Sequence, residues 1–462
     1  MKNQKGVARR TRVCVLVIAV AMLFALVLPG CDAEKWAMWG GSAEDPVDFT
    51  PTDELVIYLP PSGSDFDLVL HEFKTRYPNV EVTTKTLGSF SSDEEMDQYD
   101  EQLSAEIMSG TGPDIIFPSE VIRMDLYKAM DNGAFLNLNA YLEKDETFRR
   151  EDYVEAVLDA GRYNDRQYIM PLGFRFELML AKSAKLDAIG FDWSKSTDLL
   201  GFMDEVLRCA PKAAESSAFE SMFSCNQLLY TFQKASGLAL VDHENQLALL
   251  DKEGLRAFCE AYKRHFTEED VGDFIQYGTQ SLDDLIAGNY VFQFPWSLQE
   301  TVLISSYLKG SGGGYELSAI PNMSGGLTAR VAQSVAIRAG SPNKLNAYNF
   351  IRLLLQPEFQ SFSIAVYGLG FPVHKDSLRS IVFESRDSWD HVPGIEKLSD
   401  DEAQALVDLA SGVDQSSLVR EWRYNEINQM FLATMLPYFR DEKSLDECLK
   451  ELDYNLTIFA GE

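Results

Sequence analysis

The residue types that could do covalent chemistry are present in this chain, but not in the spacing that such chemistry needs. Paired carboxylates, which could act as acid and base across a glycosidic bond, occur at Asp283-Asp284 and in Asp93-Glu94-Glu95. Both fall in helical patterns, where a solvated face is the ordinary role. The histidines His71, His243, His265, His374 and His391 are scattered without the rhythm of a metal site. No serine stands in G-x-S-x-G, no cysteine pair has CxxC spacing, and no Cys/His constellation supports nucleophilic catalysis. Gly310-Ser311-Gly312-Gly313-Gly314 lacks the Lys-Ser/Thr of a phosphate loop and reads as a flexible turn. The expectation is therefore no catalytic residue, no metal and no cofactor. Non-covalent chemistry remains. Ser62, Ser64 and Asp65 follow one apolar run, and Ser119 and Glu120 follow another, with Arg123 one helical turn further on. Hydroxyl, carboxylate and guanidinium groups each offer several directional hydrogen bonds to a ligand. Asp65 and Ser119 fit helix caps equally well, and Arg123 fits a surface salt bridge.

The elements around these positions alternate. Leu55 to Leu59 is a short apolar strand, followed by the Pro60-Pro61-Ser62-Gly63-Ser64 turn and a helical pattern from Asp65 to Tyr77. Asn79 to Val82 is a second strand. Ser92 with Glu95 opens a helix that Gly110 stops, and Pro113 to Phe117 is a third strand. Strand and helix in turn predict βαβ units on a largely parallel sheet. Later, Tyr168 to Pro171 leads into Phe176 to Leu180, and residues 183–288 read as mostly helical with a break from Pro211 to Ser217. Val291 to Phe294 and Tyr315 to Ile320 are further strands. Ser341-Pro342 reads as an N-cap with proline in the first helical position, and residues 400–460 as three terminal helices.

The amino terminus carries a different message. Lys2, Lys5, Arg9, Arg10 and Arg12 precede 16 residues, Val13 to Leu28, without a charge, Gly or Pro. That is a signal-peptide pattern, slightly short for a membrane span. It ends in Leu28-Pro29-Gly30-Cys31, which resembles the lipid-attachment box of bacterial lipoproteins, although Pro29 departs from it. The resemblance implies a signal peptide over residues 1–30, a thioether to diacylglycerol on Cys31, and a tether over 31–53. An ordinary cleaved signal, or an uncut anchor with a coincidental cysteine, stays open at this point. Losing the five cations of the signal takes the net charge from −30 to about −35. So acidic a body repels nucleic acid and anionic lipid headgroups, which leaves the lipid to hold it on the extracytoplasmic face of the cell membrane. With 46% hydrophobic residues it can bury a large core, and its length suggests two lobes. Cys209, Cys225, Cys259 and Cys448 read as buried free thiols, a Cys209–Cys225 bridge being the alternative.

Several phrases, in order over nearly the whole mature chain, resemble the extracellular solute-binding proteins of ABC importers, the family that includes maltose-binding protein. They are Phe73 with Tyr77-Pro78-Asn79-Val80-Glu81-Val82; Gly110-Thr111-Gly112-Pro113-Asp114-Ile115-Ile116-Phe117; Gly133 to Leu138; Tyr168 with Pro171; Ile286-Ala287-Gly288 with Phe294-Pro295-Trp296; Gly368 to Val373; and Ser444 to Leu449. The resemblance implies an α/β fold of the two-lobed, type II periplasmic-binding-protein class with extra C-terminal helices. The first lobe would take residues 54–178 plus 327–374 and the second 179–326 plus 375–462. Ligand would lie in the cleft, with lobe closure around it. The implied role is capture of a carbohydrate of oligosaccharide size and delivery to ABC transporter permease subunits, by a monomer and without catalysis. A peptide, polyamine or polyol ligand, or a receptor role for a sensor kinase, are the alternatives; a secreted glycan-active enzyme ranks last. Family positions add Arg175, beyond the crossover at Pro171, then Trp296, and Trp422 with Tyr424, to the candidate contacts. Sugars need this mixture, because their hydroxyls require directional partners while their C–H faces pack on aromatic rings. Arg175 fits a hinge salt bridge as well, and Trp422 fits packing between terminal helices.

Overall fold

Alternation of apolar and polar residues builds the first strand, β1 (Glu54–Leu59), whose Leu55, Ile57 and Leu59 are buried. Helix α1 (Asp67–Arg76) lays Val69, Leu70 and Phe73 into the same core. It ends where Pro78 disfavours further helix, and β2 (Glu81–Thr86) then pairs parallel to β1, from Glu54 beside Glu81 to Leu59 beside Thr86. Helix α2 (Asp93–Ser109) stops as expected at Gly110, whose φ of +74° an L side chain resists. Strand β3 (Ile115–Ile116) is shorter than its apolar run, and Pro113 ahead of it has no N–H to give to a ladder. The computed structural model describes residues 48–59, 66–86, 93–118, 126–215, 221–223, 228–242, 247–248, 251–267, 290–295, 297–360, 370–389, 393–418 and 426–461.

The chain then crosses between two sheets. Strand β4 (Ile169–Phe176) belongs to the first, and β5 (Leu178–Lys182), one residue on, to the second. After α3 (Leu199–Glu215), β6 (Ser221–Phe223), α4 (Leu228–Ser236), α5 (Lys252–Lys263), β7 (Tyr290–Phe292), α6 (Leu298–Gly310) and β8 (Tyr315–Ala319), it returns along β9 (Thr328–Ile337). The returning crossover lies against the first: the Ile320 N–H donates to the Glu177 carbonyl at 2.9 Å. Helix α7 (Lys344–Leu354), β10 (Phe371–Pro372), α8 (Lys375–Ser388), α9 (Asp400–Ser411), β11 (Gln415–Ser417), α10 (Glu426–Phe439) and α11 (Leu445–Gly461) follow, with shorter elements between the larger ones.

The first sheet runs β10-β4-β9-β3-β1-β2, with β9 antiparallel to both β3 and β4, and β11 parallel to β9. In the second, β8 pairs antiparallel with β5, and β7 pairs parallel with β6. Leu180 and Gln293 exchange backbone hydrogen bonds of 2.9 and 2.8 Å, which joins β5 to the β7 side. Two large apolar clusters form, and β5 contributes to both, with Leu178 and Leu180 in the first and Met179 and Ala181 in the second. Phe66, Phe73, Phe174 and Phe350 fill one; Phe202, Phe232, Phe258 and Phe292 fill the other, which α10 and α11 close with Phe431, Met435, Leu452 and Leu456. The result is a two-lobed α/β protein.

Two expectations fail locally. Helix α3 runs through Pro211 to Glu215 without the expected break at that residue. Its stripe of Phe202, Met203, Val206, Cys209 and Ala213 stays buried on both sides of the proline, and that burial outweighs one lost backbone hydrogen bond. Ser341 is not the cap of α7, which starts at Lys344 after Asn343. Its hydroxyl instead donates to Asp114 Oδ1 at 2.6 Å and accepts the Asn343 N–H at 2.9 Å. A buried carboxylate outcompetes a helix end for a hydroxyl, because charge-assisted hydrogen bonds are the stronger kind.

Candidate functional site

Open α/β sheets bind ligands beyond the carboxyl ends of their strands. Here β1 ends at Leu59 and leads into residues 60–65, and β3 ends by Pro118 and leads into 119–125. Strand β11 ends by Leu418 and leads into 419–425. Those three segments hold Ser62, Asp65, Ser119, Glu120, Arg123, Trp422 and Tyr424, all of which lie outside the described residues. So do Trp296, between Pro295 and Ser297, and Cys31.

Arg175 is described, and the crossover strands explain its position. It lies on β4 with Arg330 of β9 as its cross-strand partner, so both guanidinium groups leave the same face of the sheet. Two residues on, at the junction with β5, the Glu177 carboxylate lies 2.7 Å from Lys234 Nζ of α4 and 3.1 Å from Arg330 Nη2. All three side chains are largely buried. Burial alone would push the Glu177 carboxyl up, yet Lys234 and Arg330 together hold it below the usual carboxylate range. Lys234 also lies over the Tyr230 ring, 4.4 Å from its centroid. Close approach is built in at Gly370, whose φ is +106°: a Cβ there would meet the Phe174 carbonyl at 2.2 Å and Arg175 Cγ at 2.8 Å. Glu177, Lys234 and Arg330 were absent from the sequence-derived candidates. The one signal was a carboxylate set inside the apolar run Phe176 to Leu180.

A second polar cluster pins the neighbouring strand ends. Asp114 Oδ2 accepts the Val56 N–H at 2.7 Å and Asn343 Nδ2 at 3.0 Å, while Oδ1 takes the Ser341 hydroxyl. The Asp114 N–H returns a bond to the Val56 carbonyl at 2.8 Å, and Arg338 donates to the carbonyls of Pro113 and Gly110, both at 2.9 Å. Asp114 therefore ties β1, the end of β9 and the approach to α7 together, which fixes where β3 releases the chain. Among the described residues no cluster of His, Cys, Asp and Glu is arranged to hold a metal ion, and no helix is long and apolar enough to cross a membrane. Cys209, Cys259 and Cys448 are buried free thiols, and Cys225 lies outside the described residues.

Two α/β lobes joined by adjacent crossing strands, the first sheet taking a returning antiparallel strand between β3 and β4, define a two-lobed solute-binding protein. The family model described as "Bacterial extracellular solute-binding protein" matches residues 59–361, and the chain belongs to that family. No curated protein sequence matches it. Among solved structures, it is similar to the sugar-binding protein MalE of Xanthomonas citri, with a TM-score of 0.61, 17% identity, and 88% of this chain and 97% of that one covered. The cyclic alpha-maltosyl-1,6-maltose binding protein of Arthrobacter globiformis gives 0.59 and 14%, covering 89% and 99%. A family 1 extracellular solute-binding protein of Alicyclobacillus acidocaldarius gives 0.58 and 16%, covering 90% and 100%.

Proposed function

We propose that this chain captures a carbohydrate of oligosaccharide size between its lobes and delivers it to the permease subunits of an ABC importer, without acting on it chemically. The family match over residues 59–361 carries the reading. The sugar ligands of the similar Xanthomonas and Arthrobacter proteins support its carbohydrate part. Residues 1–30 serve for export, Cys31 carries the lipid, and residues 31–53 tether the body near its transporter, which raises the effective concentration there. Residues 54–178 with 327–374 act as one lobe, and 179–326 with 375–462 as the other. The contacts come from Ser62, Asp65, Ser119, Glu120, Arg123, Arg175, Trp296, Trp422 and Tyr424. A thermal-shift screen of the purified body against mono- and oligosaccharides, peptides, polyamines and polyols tests this. A ligand at 100 times its dissociation constant adds about 2.7 kcal/mol of stability. Stabilisation by oligosaccharides alone is the expected outcome, and stabilisation only by another class would overturn the carbohydrate assignment.

A further inference from the structure

Gln333 is a buried polar group that the candidate contacts above do not include. Its side chain is 95% buried, and its Oε1 has no hydrogen-bond partner among the described residues. Interiors seldom tolerate such a group, because a buried acceptor without a donor costs the free energy of its lost hydration. The position on β9 supplies a reason. Strand β3 runs antiparallel to β9 and pairs at Ala336 and Ile337, so its carboxyl end points toward lower numbers on β9. Strand β11 runs parallel and pairs at Thr328, Ala329 and Arg330, so its carboxyl end points toward higher ones. The two ends face each other across residues 331–335 of β9, where no strand pairs on that side among the described residues. Beside Gln333, the Ser334 hydroxyl donates to the Pro118 carbonyl at 2.7 Å, which holds the end of β3 against this stretch.

The backbone is also shaped here. The β9–β4 ladder shifts register between Val331 and Gln333 and again between Gln333 and Ser334. Bulges of this kind re-aim a side chain and gather beside functional sites. The cross-strand neighbour of Gln333 is Gly173, which has no side chain to fill the space opposite.

We propose that Gln333 is a ligand-contacting residue, its Oε1 accepting a hydroxyl of the bound sugar at the floor of the cleft where the carboxyl ends of β3 and β11 face each other. This rests on the carbohydrate-capture reading. Gln333→Leu and Gln333→Met remove the acceptor at similar volume. Wild type is first screened against linear and cyclic gluco-oligosaccharides, and the best ligand is then titrated calorimetrically into each variant beside ligand-free melting curves. Affinity falls about tenfold or more, the scale of one lost sugar hydrogen bond in a dry site, while the ligand-free melting temperature holds or rises. Affinity within twofold of wild type in both variants overturns the proposal. So does a loss of affinity that comes only with a lowered melting temperature in both, since a structural glutamine would behave that way. A wild type that binds none of the sugars defeats the carbohydrate reading itself, and the role of Gln333 falls with it.

Discussion

Glu177 and Lys234 form a buried ion pair of 2.7 Å between the strand crossover and a helix of the second lobe, and Arg330 shares the carboxylate from the first sheet. The three residues meet where the lobes join. Gln at 177 would leave two buried cations short of their counter-ion, so Glu177→Gln is expected to cost about 3 kcal/mol in urea unfolding. The pH dependence follows from the lowered carboxyl. The pair stabilises the fold above the unfolded value of about 4, and that stability is lost as pH falls through the lower folded value. The variant should show a shallower acid limb. An unchanged unfolding midpoint and acid limb would mean that the charges relax into solvent.

The parts of the fold that depend on neighbours in sequence were readable. Alternation placed β1, Gly110 ended α2, and the closing segment held three helices. The failures are residues whose partners lie far along the chain. Ser341 looked like a cap because its partner, Asp114, is 227 residues away. Arg330 reaches Glu177 across 153 residues, a pairing that only the return of β9 beside β4 creates. Pro211 looked like a break because the local rule weighs one lost hydrogen bond, and the buried stripe on either side of it outweighs that loss. Gln333 had no local signature, since a glutamine in a strand reads as solvated until its neighbours bury it.

Asp114, inside the Gly110 to Phe117 phrase, is a structural acceptor. Asp114→Ala leaves the Val56 N–H, the Ser341 hydroxyl and the Asn343 amide without it and should cost about 3–5 kcal/mol. Ser341→Ala removes one of those bonds and should cost about 1–2 kcal/mol. Chemical denaturation measures both. Equal losses in the two variants would show that the cluster stands or falls on the serine alone.

His265 should make the second lobe sensitive to mild acid. Burial holds its imidazole down at about 4, against the Phe232 ring at 5.7 Å and beside Arg264 and Asp204. Its ordinary value is about 6.5, so between these values the unfolded chain binds the proton that the folded chain refuses. Stability therefore falls as pH drops from about 6.5 towards 4, by up to about 3 kcal/mol. His265→Phe should flatten melting temperature against pH over the upper part of that range. An unchanged slope would assign the acid sensitivity to other groups.

The thiols offer a check on packing. Cys209, Cys259 and Cys448 are fully buried, and burial pushes each thiol up, Cys259 most. Thiolates are the reactive species. An aromatic disulfide reagent should leave these three unlabelled in the native protein and label them promptly in urea, as peptide mapping would read. Rapid native labelling at Cys259 would mean that the second core opens locally.

Trp296 is the candidate contact with the largest expected effect on binding. It follows Pro295 just beyond β7 and precedes Ser297, whose hydroxyl accepts the Glu300 N–H at 3.1 Å to cap α6. An aromatic ring packs on the C–H face of a sugar and sheds water from it, so removing this one should weaken binding by about 1–3 kcal/mol. Calorimetry on Trp296→Ala, with the ligand found in the screen, measures that loss. Because the cap lies on Ser297, the melting temperature of the ligand-free variant should move little. Full affinity in the variant would take Trp296 out of the site, and a large drop in stability would assign the ring to packing.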